Sequence, residues 1–252
     1  MCLILFSYKN HPRYRLVLAA NRDEFYERPT RPLGFWPENP GILAGRDEQS
    51  QGTWLGFNRS GRFAALTNFR NLAVLKKNGP TRGNLVRDFL ESDLGPRQYL
   101  EAVKQKASEY SGFNLLVGDT DDLLYFSNMD SAIQTVGPGF HGLSNAFLDT
   151  PWPKVKRGKR ALVALVQDRQ SLDAEDFFDL LADRRRPEDH ELPDTGVGLE
   201  LERVLSPIFI ESPGYGTRSS AVILVDRDGG VRFEERTHDP GADPSCQVFQ
   251  IN

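Results

Sequence analysis

Short apolar runs with strand-like alternation occupy both ends of this chain, and apolar residues at helical spacing occupy its middle. Cys2-Leu3-Ile4-Leu5-Phe6 opens a strand at about 2–8, which pairs with a second at about 14–20 across the turn-like Lys9-Asn10-His11-Pro12. Residues 26–51, rich in proline, glycine and charge, read as a long surface loop. A second hairpin follows, with strands at about 53–57 and 63–67 flanking Asn58-Arg59-Ser60-Gly61, whose residues tolerate positive φ. Leu85, Phe89 and Leu90 share one face of a helix over about 81–91, and a second helix at about 96–109 opens on Pro96. Strands recur at about 113–118, 123–128 and 140–144, then helices at about 153–168 and 173–182, with Ser171 or Asp173 as the cap of the latter. Residues 183–200 read as a mobile loop. Strands at about 219–226, 231–237 and 246–251 close the chain, the first two turning at Asp228-Gly229-Gly230.

Strand runs at both ends with helices grouped between them predict one α+β domain over residues 1–252, built on mostly antiparallel sheets. Two strand sets and two helix pairs fill a four-layer α-β-β-α sandwich, with helices covering the outer face of each sheet. Hydrophobic residues make up 39% of the chain, and no apolar run approaches the ~20 residues that cross a bilayer, so no transmembrane segment is expected. The start of the chain lacks the basic region, apolar stretch and cleavage site of a signal peptide, which makes the cytoplasm the expected compartment. A net charge of −4 supplies no overall basic field for nucleic acid. The one basic cluster, Arg184-Arg185-Arg186, runs straight into Glu188, Asp189 and Glu191, the pattern of a solvated loop. Cys2 and Cys246 are too few for a disulfide framework, and His11, His141, His190 and His238 lack metal-ligand spacing, so neither a metal nor a resident cofactor is expected.

The chemistry-bearing residue is Cys2. Loss of Met1 would make it the amino terminus, and one residue would then carry a thiol nucleophile and an α-amine whose unperturbed pKa of roughly 7.7–8.0 suits a general base. Polar groups collect where the expected strands end: Asn21-Arg22-Asp23-Glu24, Thr67-Asn68, Ser144-Asn145 and Gly214-Tyr215-Gly216-Thr217-Arg218. Acyl transfer at an amide needs a nucleophile, a base, oxyanion donors and a group that orients the base. Cys2 supplies the first two. Asp23 is the candidate for orienting the amine, the amides of Asn68 and Asn145 are candidate oxyanion donors, and Arg218 is a candidate for favouring the thiolate. Asn21, Arg22, Trp54 and His141 are candidate substrate contacts, while turns and core packing are the commoner uses of these residue types.

Seven separated motifs carry a resemblance. Cys2-Leu3-Ile4, Leu18–Tyr26 with Arg28-Pro29, Gly52-Thr53-Trp54-Leu55-Gly56, Ala65–Asn68, Gly112–Leu115, Gly142–Ala146 and Pro213–Arg218 together resemble the NRDE-motif family, also called the transport and Golgi organisation family. More distantly, the chain is similar to N-terminal nucleophile hydrolases of the choloylglycine hydrolase and penicillin V acylase group, which implies the α-β-β-α sandwich. That likeness puts Cys2 at the nucleophile, Asn21 and Asp23 at an Asn-x-Asp motif, Asn58 to Gly61 at an Asn-x-x-Gly turn ahead of Asn68, and Asn145 and Arg218 at later polar positions. One position departs: the hydrolases carry an arginine just before that first Asn, where this chain has Ala20, with Arg22 on the same face of a strand. The resemblance implies two functions. One is a cysteine amidase or acyltransferase acting on a small linear amide; the other is a trafficking protein that binds haem or an acyl-lipid such as acyl-CoA, with Trp54 or Trp152 lining the site.

Overall fold

The computed structural model describes residues 2–76, 79–119, 121–167, 169–240 and 245–251. Met1, on whose loss the nucleophile depends, and Asp168, at the end of the expected third helix, lie outside that set. The first half of the chain forms β1 (Cys2–Tyr8), β2 (Tyr14–Phe25), β3 (Thr30–Trp36), β4 (Asn39–Asp47), β5 (Leu55–Asn58), β6 (Phe63–Asn68), α1 (Gly83–Glu91), α2 (Pro96–Lys106), β7 (Phe113–Gly118) and β8 (Leu123–Ser127). The second half adds β9 (Ile133–Thr135), β10 (Gly139–Leu143), α3 (Pro153–Val166), α4 (Ala174–Leu181), α5 (Leu199–Leu205), β11 (Glu211–Ser212), β12 (Tyr215–Asp226), β13 (Val231–Thr237) and β14 (Ser245–Ile251). No helix of the described residues is long and apolar enough to cross a membrane.

The chain divides into two compact units. The first comprises Met1–Glu27, Gly137–Ser144 and Leu148–Asn252, and the second Arg28–Val136 with Asn145–Phe147. In the first unit the strand order is β10-β1-β2-β12-β13-β14, with β11 paired to β12 and every pairing antiparallel. Leu3, Leu5, Val17, Ala19, Val222 and Leu224 point to one face of this sheet and pack against Val155 and Leu162 of α3 and Phe177 and Leu181 of α4. The residues between them on β1 and β2, from Cys2 and Arg22 to Phe6 and Leu18, turn to the opposite face. Asp173 caps α4 by accepting a hydrogen bond from the Glu175 amide, which selects it over Ser171.

The second unit is a meander, β3-β4-β5-β6-β7-β8-β9, with α1 and α2 laid on one face. Ala64, Leu66, Leu115, Val117 and Phe126 meet Leu85, Phe89, Leu100 and Val103 there. In the turn between β5 and β6, Asn58 accepts hydrogen bonds from the Ser60 and Arg62 amides and donates to Leu90 O of α1, while Gly61 takes φ 78°.

Three expectations are corrected. Residues 26–51 are not a loop: β3 and β4 pair there, burying Leu33, Trp36, Ile42, Leu43 and Ala44. Their alternation is hidden because Pro32 and Gly34 sit where the register shifts, between Arg31 and Gly34. Strand β2 runs on through Asn21-Arg22-Asp23-Glu24 to Phe25, and β12 begins at Tyr215 rather than 219, because each strand satisfies the other's backbone along that length. Finally, the segment after 183 gives way at Leu199 to α5, too short at seven residues to show a helical period.

Candidate functional site

Cys2 lies on β1 directly across from Arg22 of β2, so the thiol and the guanidinium share one face of the sheet. Both are buried, at 8% and 6% exposure. Ala20 pairs with Ile4 one step further along that face. Burial pushes the Cys2 thiol up from its ordinary value and the Asp23 carboxylate pushes the same way. The charge of the amino terminus, then the Arg22 charge and a hydrogen bond from the Asp23 amide, pull it down, with burial prevailing. The thiol is therefore protonated at neutral pH. Ser144 Oγ donates to Cys2 O at 3.2 Å, fixing the backbone from the β10 side.

Asp23 is only 1% exposed. Its Oδ1 accepts from Thr217 Oγ1 at 2.8 Å, and its carbonyl accepts from the Tyr215 hydroxyl at 3.1 Å. Arg218, at the bulge between Thr217 and Ser219, donates from Nη1 to Phe25 O and Tyr26 O at 2.9 and 3.0 Å and from Nη2 to Asp239 Oδ1 at 3.2 Å. Gly216 makes this approach possible, since a Cβ there would collide with the Tyr26 hydroxyl and lie 2.6 Å from Ile210 O. Two motifs about 190 residues apart, Asn21–Tyr26 and Gly214–Arg218, are thus one clamp.

Asn21 faces the helices. Its Nδ2 donates to Leu181 O and Ile208 O, both at 2.9 Å, and its Oδ1 accepts from Ser220 Oγ at 2.7 Å. Because the single Ser220 proton goes to Asn21, His238 Nε2, 2.9 Å from the same hydroxyl, must be a donor. Burial pushes His238 down, and Arg184 and Arg236 add to the effect, so the ring is neutral at pH 7. His141 stacks on Phe6 and spans Asp149 Oδ2 at 2.8 Å and Gly137 O at 3.0 Å. Burial alone would raise Asp149, but hydrogen bonds from His141, Lys159 and the Gly142 amide hold it down to about 2.

The remaining candidates belong to the second unit. Asn145 is fully buried, donates from Nδ2 to Asn68 O at 2.9 Å and accepts from the Arg70 amide at 2.7 Å. Asn114 ties the same region together through Thr67 Oγ1, Ala146 O and the Tyr125 hydroxyl. Trp54 is half-buried, its carbonyl accepting from the Leu66 amide. Among the described residues no group of three or more His, Cys, Asp or Glu is placed to hold a metal ion.

Sequence reasoning singled out Asp23 and Asn21 but gave no role to Thr217 and Tyr215, which bond Asp23, or to Ser220, which bonds Asn21. A signal was there: Tyr215, Thr217, Ser219 and Ser220 place hydroxyls after the Pro213-Gly214 turn, just ahead of the apolar run 221–225.

The first unit also contains a cavity of about 790 Å³, whose walls include Tyr26, Arg184, Arg186, Phe209, Thr217 and His238. Its apolar lining includes Val204, Pro207 and Phe209, with the Arg184 guanidinium 4.2 Å over the Phe209 ring and the His238 ring edge-on to it at 5.0 Å.

Comparison with known proteins bears on the fold and the family. The solved structure of a mutant conjugated bile acid hydrolase from Clostridium perfringens superposes with a TM-score of 0.54 at 11% identity, covering 100% of this chain and 92% of that one. A Caenorhabditis elegans N-acylethanolamine-hydrolyzing acid amidase ortholog gives 0.52 at 10% identity, covering 88% and 92%. The fold is therefore that of the N-terminal nucleophile hydrolases, α+β with antiparallel sheets, as the motifs implied. By sequence, the chain is 39% identical to a human Transport and Golgi organization protein 2 homolog, covering 94% of this chain and 93% of the relative. It is 38% identical to the bovine homolog, covering 97% and 95%, and 28% identical to the Drosophila melanogaster protein, covering 97% and 94%. The family model described as Transport and Golgi organisation 2 matches residues 1–240, and the chain belongs to that family.

Proposed function

We propose that this protein is a cysteine hydrolase or acyltransferase of the N-terminal nucleophile type, acting on a linear amide. The observation that carries this reading is the register that sets Cys2 opposite Arg22, with the Asp23 amide bonded to the thiol. A thiol whose pKa is raised by burial cannot ionise unaided, and the nearest possible base is its own α-amine once Met1 is gone. In this reading the α-amine takes the thiol proton as Sγ adds to the amide carbonyl. The proton passes to the leaving nitrogen as the C–N bond breaks, and water or an acceptor amine then releases the acyl group from sulfur. Arg22, on the face where the related hydrolases have their arginine, takes the place left by Ala20 and favours the thiolate. The names of the two structural neighbours, a conjugated bile acid hydrolase and an N-acylethanolamine-hydrolyzing amidase, support an amide bearing a large apolar acyl group. Incubating the wild type and Cys2→Ala with a panel of N-acyl amines and following acid release by mass spectrometry tests it. Turnover that vanishes in the variant is expected; equal turnover, or none in either protein, overturns the proposal.

A second reading has its own support. The cavity of about 790 Å³, lined by Phe209 and by Arg184 and Arg186 as well as Glu211 and Asp239, offers an apolar surface and cationic groups that suit an apolar body with an anionic group, as in haem or acyl-CoA. On this reading the protein binds such a ligand without chemistry at Cys2. Titration with haem and with acyl-CoA, read by absorbance and fluorescence, is expected to saturate in the wild type and in Cys2→Ala alike. Absence of saturable binding at micromolar concentration refutes it.

A further inference from the structure

Thr217 makes two hydrogen bonds of opposite sense. Its Oγ1 accepts from the Ile210 amide at 2.9 Å and donates to Asp23 Oδ1 at 2.8 Å. A threonine hydroxyl has one proton, and with the Ile210 N–H filling an acceptor position that proton is aimed at the carboxylate. The Thr217 amide donates in turn to Ile210 O at 2.8 Å, so the hydroxyl rests on a frame of main-chain bonds between β12 and the segment before β11. Both Thr217 and Asp23 are 1% exposed, so no bulk water competes for this contact. Among the described residues, the charges of Asp23 and Arg22 act on Cys2, beside that of the amino terminus, while Tyr26 feels Glu211, Arg218 and Asp23.

We propose that Thr217 is a positioning residue for Asp23: its directed proton fixes the carboxylate rotamer and keeps the group ionised beside Cys2, so that Asp23 can orient the base of the reaction. This rests on the nucleophile reading above. It assigns a role to a residue that acts through Asp23, and it explains why a hydroxyl stands opposite Asp23 on β12.

The test uses the whole chain and two readouts that a merely structural threonine would not move. One is the midpoint of the Asp23 carboxyl titration by carbon NMR, assigned from the Asp23→Asn spectrum. The other is the pH profile of Cys2 alkylation by iodoacetamide, followed on the Cys2 peptide so that the exposed Cys246 does not interfere. In Thr217→Val the Asp23 midpoint is expected to rise by about one pH unit, the scale of losing one hydrogen bond to a charged group. The Cys2 midpoint is expected to move in the direction set by Asp23→Asn. Thr217→Ser, which keeps the hydroxyl, is expected to restore both. Should the valine variant fail to fold, Thr217→Ala, with space for a water at the Ile210 amide, gives the same readouts. An unchanged Asp23 or Cys2 midpoint in the hydroxyl-free variant, with Asp23→Asn shifting Cys2, overturns the role of Thr217 alone. An unchanged Cys2 profile in Asp23→Asn overturns the nucleophile reading and the positioning role with it.

Discussion

Replacing Asn21 by Ala is the sharpest structural perturbation available in the first unit. Asn21 has no solvent exposure, and its amide holds β2 to the C-terminal carbonyl of α4 at Leu181, to Ile208 and to Ser220 of β12. Leu181 ends its helix, so its carbonyl is one of those the helix leaves without an internal partner. Three hydrogen bonds at roughly 1 kcal/mol each give a loss of about 3 kcal/mol, rising towards 5 if the two carbonyls are left dry and unpaired. With a urea slope of about 3 kcal/mol/M, that loss lowers the midpoint by about 1 M. Equilibrium urea unfolding followed by far-UV circular dichroism measures it. Asn21→Asp is expected to be worse than Ala, since it sets a carboxylate against two carbonyl oxygens and removes both donors. Ser220→Ala is expected to cost about 1 kcal/mol and to couple to Asn21→Ala by a similar amount in a double-mutant cycle. A loss below about 1 kcal/mol for Asn21→Ala would refute the claim that this side chain ties the sheet to its helices.

Other outcomes follow from the same geometry. Gly216→Ala is expected to destabilise by about 1–3 kcal/mol in the same urea assay, because the new methyl group meets the Tyr26 hydroxyl and Ile210 O. His238 is held below its unfolded value, so the folded state binds fewer protons there; its contribution to stability is complete above about pH 6.5 and is lost as pH falls through the lower folded value. His238→Gln is expected to flatten that part of the stability–pH curve, measured by thermal unfolding between pH 5 and 8. Asp149, held down to about 2, contributes above its unfolded value near 3.8 and loses that contribution as pH falls from there towards 2. Asp149→Asn is expected to remove this acid limb. In the second unit, Asn114→Ala is expected to cost about 2–4 kcal/mol through its bonds to Thr67, Ala146 and Tyr125, read as loss of amide protection in β7.

Period and turn chemistry placed most elements. The hairpin at Asn58–Gly61 was legible because each residue does there what its side chain favours: Asn58 folds back onto two amides and Gly61 takes positive φ. The helices at 83 and 96 were legible from Leu85, Phe89 and Pro96. The β3–β4 hairpin was hidden because its glycines and prolines sit at register shifts, where loop-like composition is compatible with a paired strand. For the site, residue type and spacing marked Cys2, Asp23 and Arg218 as separate points. That Asn21–Tyr26 and Gly214–Arg218 are neighbouring strands is a long-range pairing, which no local pattern encodes. Nor does the sequence show that a bulge after Thr217 lets Thr217 pair with Asp23 while Arg218 reaches back to Phe25 and Tyr26.

Whether Cys2 ever carries a free α-amine is open to direct measurement. Protein isolated from its native host, digested and sequenced at its N-terminal peptide by mass spectrometry, is expected to begin at Cys2 with an unblocked amine. A chain that begins uniformly at Met1 would leave the buried thiol without its base and contradict the nucleophile account.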